Sequence, residues 1–448
     1  MGEFLGKINA LVWGLPALAG ILGVGLYLTV CTGFVQVRLF PEALRRFGSM
    51  LRGKEKSSFR SFCTALGATV GTGNLVGVAG AIALGGPGSI FWMWVCGFLG
   101  MATKYAEAVL SVRYRVRDEA GELGGPMCVI TRGLGEKWRW LASAYCFFGV
   151  VAAFGVGNAT QINAMVTMIR QISGAGGSGG NLLLGLGLAL LIGLLLRGGA
   201  KGIGAAAEKL VPLAAGGYIC LCLLVLVLRH QNITAAFSLI LRGAFDPKAA
   251  TGGMLGSAFA ALRVGCARGV FTNEAGMGTA GIAHASAEVD HPAQQGLMGI
   301  MEVFLDTIVI CTLTALVILV SGVPIPYGHD VGGQLTADAF RGVCGSWAEI
   351  LLSLCICCFA LATVLGWGLY GLRCVRFLLG RSGEAGFVWV QMGAAFLGAV
   401  MKTEVIWVLA EIVNGLMAVP NLIALALLAN QVVLLTREYK MCNTPIAQ

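Results

Sequence analysis

Charge is what this chain has least of. Asp, Glu, Lys and Arg together supply 12% of its 448 residues, against roughly a quarter in soluble domains. No hydrophilic stretch is long enough to fold separately, which excludes a soluble catalytic or receptor domain carried on an anchor. Histidine is scarcer still: His230, His284, His291 and His329 are the whole set, all in expected loops or span ends, so no converging metal-ligand group emerges. Neither paired carboxylates nor a nucleophile with its base share a common depth, which argues against a membrane-embedded enzyme. The first apolar run follows Glu3 and Lys7 rather than a basic cluster and lacks a cleavage site, so it reads as a retained span. Cysteine is plentiful at 15 copies. Most of these, such as Cys220, Cys222, Cys355, Cys357 and Cys358, lie inside apolar runs, where the thiol acts as a small apolar group. No disulfide framework is inferred.

What the chain does have is apolar length. It is 57% hydrophobic with a mean hydropathy of +0.82, so it reads as an all-α integral membrane protein. Eleven candidate spans cover 11–34, 62–84, 88–112, 142–172, 182–197, 206–228, 254–284, 296–321, 347–379, 385–401 and 419–436, with Glu404 to Gly415 a candidate interfacial helix before the last. Basic residues test this map. With the N-terminus outside, 21 of the 31 lysines and arginines fall in inner loops, the bias expected of cytoplasmic loops, which puts the C-terminus inside. The net charge of +9 therefore reflects topology rather than affinity for nucleic acid. Short amphipathic helices are expected in the outer connections near Ile233 to Leu241 and Gln334 to Phe340.

Two spans are broken by their own composition. Residues 67 to 77 carry four glycines together with Thr69, Thr72 and Asn74. Glycine costs roughly 1 kcal/mol against alanine within a helix, and lipid offers no water to a loosened backbone. Residues 265 to 279 repeat the pattern with Gly265, Gly269, Gly276 and Gly278 among Arg268, Thr272, Asn273 and Glu274. Five spans follow from each break, and the two halves enter the membrane from opposite sides. That is the pattern of an inverted repeat with a ligand site where the broken helices meet. The chain then divides into a peripheral helix and basic loop (1–60), a first repeat (61–230), an outer connector (231–253), a second repeat (254–436) and a cytoplasmic tail (437–448). Half-helix amides suit a carboxylate, and freed carbonyls suit a sodium ion.

Specific stretches carry a resemblance. TALGATVGTGN at Thr64 to Asn74, GGPGSIFWMW at Gly85 to Trp94, GMATKYAE at Gly100 to Glu107, GGPM at Gly124 to Met127, ARGVFTNEAGMG at Ala267 to Gly278, DTIVICT at Asp306 to Thr312, and Gly366-Trp367 resemble the alanine/glycine:cation symporters, the sodium:alanine symporter family. The resemblance implies a leucine-transporter-type fold, a 5+5 inverted repeat plus one extra N-terminal helix. It implies sodium-coupled, in some members proton-coupled, uptake of alanine, glycine or a close relative across a bacterial or archaeal cell membrane. No cofactor is implied beyond the co-transported sodium.

By that likeness, the Thr72 and Gly73 amides bind the substrate carboxylate and Gln161 contacts its amino group, with Asn163 beside it. Thr272 and Asn273 close the site, and Phe271, Met277 and Trp367 line the pocket. The Thr69 carbonyl and Asn74 side chain help hold one sodium, with Thr272 also among the candidate ligands. A second sodium site would use carbonyls near Gly67 and Val70 with Phe359 and Thr363 of the ninth span. Ala362 stands there where relatives usually carry a second hydroxyl, and Gly281 replaces a usual proline.

Intramembrane charges are read for themselves. Arg268 and Glu274 flank the second break either as a bracing pair or as substrate contacts. Lys104 and Glu107 read as paired scaffold. Glu302 and Asp306 share a helix face, Asp306 as a candidate charge near a cation and Glu302 as its support or part of a proton route. A proton-coupled carrier of another small solute and an ion channel stand as alternatives.

Overall fold

A chain in lipid must satisfy its backbone internally, and the computed structural model does so with helices. It describes residues 2–118, 121–173, 178–246, 258–329, 332–401 and 404–443. In order these form α1 (Gly2–Val12), α2 (Leu15–Cys31), α3 (Phe40–Leu51), α4 (Lys56–Thr69), α5 (Val78–Gly85), α6 (Ser89–Tyr114), α7 (Arg139–Phe154), α8 (Thr160–Ser173), α9 (Ser178–Arg197) and α10 (Gly199–Leu228). After these come α11 (Ile233–Phe245), α12 (Ala258–Asn273), α13 (Thr279–His284), α14 (Pro292–Val303), α15 (Thr312–Ser321), α16 (Gln334–Cys344), α17 (Ser346–Leu379), α18 (Arg381–Val400), α19 (Glu404–Leu427) and α20 (Ala429–Asn443). A hairpin of β1 (Val116–Asp118) and β2 (Gly121–Leu123), with Arg117 opposite Glu122, closes one loop. The amphipathic helices expected in the two long connections are α11 and α16.

Among the described residues seven helices are long and apolar enough to cross a bilayer, or nine if two bent pairs each count as one span. One pair is the first expected break, α4 against Gly73–Gly85, bent by 48°. The other bends by 59° between α19 and α20. Here the expectation of a span at 419–436 behind an interfacial piece is corrected. The helix runs unbroken from Glu404 to Leu427, through Gly415 and Pro420, and turns only at Leu428. Gly415 marks close packing instead of an end: a Cβ there would lie 3.1 Å from the Trp13 indole nitrogen. The first expected span is likewise divided, because Gly14 and Pro16 start α2 afresh after α1.

Small residues let the helices approach, as membrane packing requires. Long α6, buried over most of its length, takes α14 along Gly296 and Gly299, where a Cβ would come within 2.6 Å of Val109 and 2.7 Å of the Lys104 carbonyl. It takes α12 along Gly265 and Gly269, the former against the Ser89 carbonyl and Trp92, the latter 3.2 Å from Cys96. These two glycines were expected to belong to the second break. They are helical, and the break starts only after Asn273.

Candidate functional site

The first break begins where α4 ends at Thr69. Val70 turns extended, Gly71 and Thr72 carry the chain on, and a π-helical turn over Gly73–Gly77 leads into α5. Its amides and carbonyls are therefore only partly spent within the helix. The Gly71 amide donates to Asn74 Oδ1 at 3.1 Å, Asn74 Nδ2 donates to Asp306 Oδ1 at 2.7 Å, and Thr72 Oγ1 donates to Gln161 Oε1 at 3.3 Å. Thr363 Oγ1, on α17, donates to the Gly67 carbonyl at 3.0 Å. Carbonyl and hydroxyl thus face each other where the second cation site was expected.

The second break, Glu274 to Gly278, is a tighter turn. Glu274 (φ 52°), Gly276 (φ 96°) and Gly278 (φ 77°) are all left-handed, a conformation that strains Glu274 and suits the glycines. Glu107 of α6 holds the turn: its Oε1 accepts the Gly276 amide at 2.9 Å, the Gly278 amide at 3.0 Å and Asn421 Nδ2 at 2.8 Å. Glu274 accepts from Thr279 Oγ1 at 2.7 Å and from the Trp367 indole at 3.2 Å. Lys104 does not pair with Glu107 but bonds Glu302 at 2.9 Å, and Glu302 also meets His284 at 3.0 Å. Lys104, Glu107, Glu274, Glu302 and Asp306 are all buried.

The breaks lie side by side. A Cβ on Gly73 would sit 3.5 Å from Thr272 and 3.7 Å from Phe271. Between them is a cavity of about 20 Å³, room for about one water. Thr69, Gly71, Thr72, Gly73, Gln161, Phe271, Thr363 and Trp367 line it, joined by Ala68, Val156, Glu274 and Asn414. Trp367 is seated by Gly157, which leaves no space for a Cβ against the indole.

Other expected residues lie elsewhere. Asn163 faces α18, donating to the Gly398 carbonyl at 3.1 Å, since two positions along α8 rotate it away from Gln161. Met277 packs with Leu18 and Ile21 of α2 and with Cys266. Asn273 donates to Thr307 Oγ1 at 3.2 Å, and Thr307 in turn donates to Asp306 at 2.8 Å. These tie the second break to the Asn74–Asp306 pair behind the cavity. Thr272 Oγ1 donates to the Gly269 carbonyl at 2.9 Å, and Phe359 packs edge-on against Tyr218. Gly281, against Ser111 of α6, has no room for a Cβ. The sequence reading missed Asn414 and Asn421, whose signal was a carboxamide inside an apolar run.

A far larger cavity, about 1070 Å³, opens on the face that carries the basic loops. Lys56, Arg60, Arg117, Arg197, Lys201 and Arg373 line it beside Ser61 and Thr64 of α4. Four separated basic stretches of sequence thus share one face.

The chain is similar to known proteins over nearly its whole length. Residues 1–445 match the sequence model of the sodium:alanine symporter family. The chain is 41% identical to the sodium/alanine symporter AgcS of Methanococcus maripaludis, covering 98% of this chain and 97% of that protein. It is 37% identical to the probable sodium/glutamine symporter GlnT of Bacillus subtilis, over 98% and 90% of the two chains. The putative sodium/proton-dependent alanine carrier protein YrbD of the same organism is 33% identical over 98% and 93%. Among solved structures, MhsT in complex with L-phenylalanine superimposes with a TM-score of 0.55 at 14% identity, covering 85% of this chain and 97% of that one. The fold is thus of leucine-transporter type.

Proposed function

Because the chain belongs to the sodium:alanine symporter family, we propose that it is a sodium-coupled symporter importing a small neutral amino acid, alanine or glycine, by alternating access. Eleven spans in a 5+5 inverted repeat with one extra N-terminal helix carry the function, with the N-terminus outside and the C-terminus in the cytoplasm. The amino acid sits between the breaks, its carboxylate on the Thr72 and Gly73 amides and its ammonium toward Gln161. Sodium takes the Thr69 carbonyl and Asn74, with the Asp306 carboxylate behind them, and a second sodium takes Gly67, Val70 and Thr363. The substrate carboxylate bridges to the first ion, so each raises the other's affinity.

The observation that carries this reading is the pair of unequal cavities. A pocket of about 20 Å³ lies between the breaks, and a vestibule of about 1070 Å³ opens toward the basic loops. A channel would need a continuous path, whereas a carrier needs one side closed at a time. Purified protein in liposomes tests the proposal. An inward sodium gradient should drive alanine accumulation beyond equilibrium, and passive equilibration alone would overturn it. Proton coupling is the second reading, favoured by the buried carboxylates Glu107, Glu274, Glu302 and Asp306 beside buried Lys104. Accumulation driven by a proton gradient without sodium would establish it.

A further inference from the structure

One cavity residue has no part in the site derived so far. Asn414, on α19, lines the pocket together with Thr72, Gln161, Glu274 and Trp367. It is 1% exposed, and its Oδ1 is buried without a hydrogen-bond partner. A buried acceptor left unmade is costly, and one on a residue that lines a cavity can be satisfied by a donor that enters it. Neighbouring polar groups are already spent: Glu274 accepts from Thr279 and Trp367, and Gln161 donates to the Val156 carbonyl while accepting from Thr72. The carboxamide is also held in place. Three residues earlier on the same helix, Glu411 accepts from Asn9 at 2.7 Å and its carbonyl from the Trp13 indole at 2.9 Å. Gly415, the next residue, lies against Val12 and Trp13. The peripheral helix α1 therefore fixes the rotation of α19 about its axis.

We propose that Asn414 is a specificity-determining residue that hydrogen-bonds the substrate's side chain, so that the site prefers a small amino acid bearing a hydroxyl over its apolar counterpart. An alanine methyl needs no partner, and a wall built for methyl alone would be apolar there. A hydroxyl both donates and accepts, as a carboxamide does. This inference rests on the amino-acid symport reading above and assigns the side-chain end of the same site.

The test compares serine with 2-aminobutyrate, which puts a methyl where serine has its hydroxyl, in sodium-driven uptake by proteoliposomes. Serine should be favoured in kcat/KM by about tenfold. Asn414→Leu, which keeps the volume and removes both polar atoms, should erase or invert that ratio. Asn414→Ser, a smaller polar residue, should retain part of it. Because the ratio is taken within one preparation, a partly folded variant does not distort it, and a variant too unstable to purify leaves the parental ratio and Asn414→Ser to decide. Equal parental rates for the two amino acids, or a ratio unmoved by Asn414→Leu, would overturn the proposal. If the parent accumulates alanine but neither of these amino acids, this proposal alone has failed; if alanine is not accumulated under any ion gradient either, the symport reading itself has failed.

Discussion

The two broken helices open in different ways, and the contrast divides the labour of the site. Between Val70 and Gly77 no residue has a positive φ. Gly71 there serves close approach, since its Cβ would lie 2.9 Å from Thr363 Oγ1, as does Gly67 in the last turns of α4, 2.7 Å from Val211. At the second break three residues are left-handed, and the turn is clamped by Glu107, Asn421, Thr279 and Trp367. The first break lines the cavity and makes its backbone bonds mostly within itself, Gly71 to Asn74 and Leu75 and Val76 to the Thr72 carbonyl, whereas the second gives its amides to Glu107 on another helix. A segment that must bind and release belongs at the low-stability end of a fold, and its support at the other. On the proposed reading the first break is the binding edge and the second the scaffold it moves against.

Removing the clamp should produce the largest effect. Glu107→Leu leaves two buried amides and the Asn421 carboxamide without their shared acceptor, at about 1–3 kcal/mol for each unsatisfied group. We expect a large fall in thermal unfolding temperature in detergent and loss of transport. Glu107→Gln keeps an acceptor oxygen and should recover most of the stability. Glu107→Leu protein as stable as the parent would break the comparison, because the second turn would then hold without its brace.

At the first break the expected outcome is reversed. Asn74→Ala and Thr72→Ala should nearly abolish uptake while leaving the unfolding temperature within a few degrees of the parent. Thr72 makes one long side-chain bond, to Gln161 at 3.3 Å, and Asn74, which also donates to buried Asp306 Oδ1 at 2.7 Å, should account for the larger share of those degrees. Parental uptake in either purified variant would remove the first break from the binding edge. A collapse of stability in both would make it scaffold too.

Glycine is where the sequence could be read and also where it misled. A polar, glycine-rich stretch in an apolar span marks a place where the helix gives way or where another element comes close, and sequence alone does not separate the two. At Gly71 both are true, and the first break fell where composition placed it. At Gly265 and Gly269 only close approach is true, because α6 lies against them, and the helix runs on to Asn273. Rotation around an axis was equally hidden. Asn163 and Met277 belong to the same short motifs as cavity residues, yet they point to α18 and to α2. Glu107 and Lys104 read as a pair because they are one turn apart, but their partners come from α12–α13 and α14, remote in sequence. Asn414 stayed invisible because its helix was divided at the very glycine that packs it against α1.

Thr363 sharpens the comparison from the ion side. Its hydroxyl sits 3.0 Å from the Gly67 carbonyl, where Ala362 offers no second hydroxyl. Thr363→Val keeps the shape and removes the oxygen. The sodium concentration for half-maximal uptake should rise about tenfold, roughly the worth of one hydrogen-bonding group. Alanine affinity measured at saturating sodium should change far less. If the sodium dependence of uptake is unmoved, the ion does not use this edge of the first break, and the hydroxyl merely ties α17 to α4.

The smallest expected change comes from Gln161, which belongs to neither break. It stands on α8 just beyond a π-helical turn over Gly155–Ala159, donates to the Val156 carbonyl at 3.2 Å and accepts from Thr72 at 3.3 Å. Its carboxamide is thus preset by its own helix and reaches the cavity from the side, where a substrate ammonium would replace the Thr72 hydroxyl as donor. Exchanging one donor for another returns only the difference between two hydrogen bonds. Gln161→Ala should therefore raise KM for alanine several-fold with little change in maximal rate, the signature of binding lost equally from ground and transition states. An unchanged KM would take Gln161 out of the binding site. A fall in maximal rate instead would mean that the Thr72–Gln161 bond belongs to the moving parts, and the binding edge would then extend from the first break onto α8.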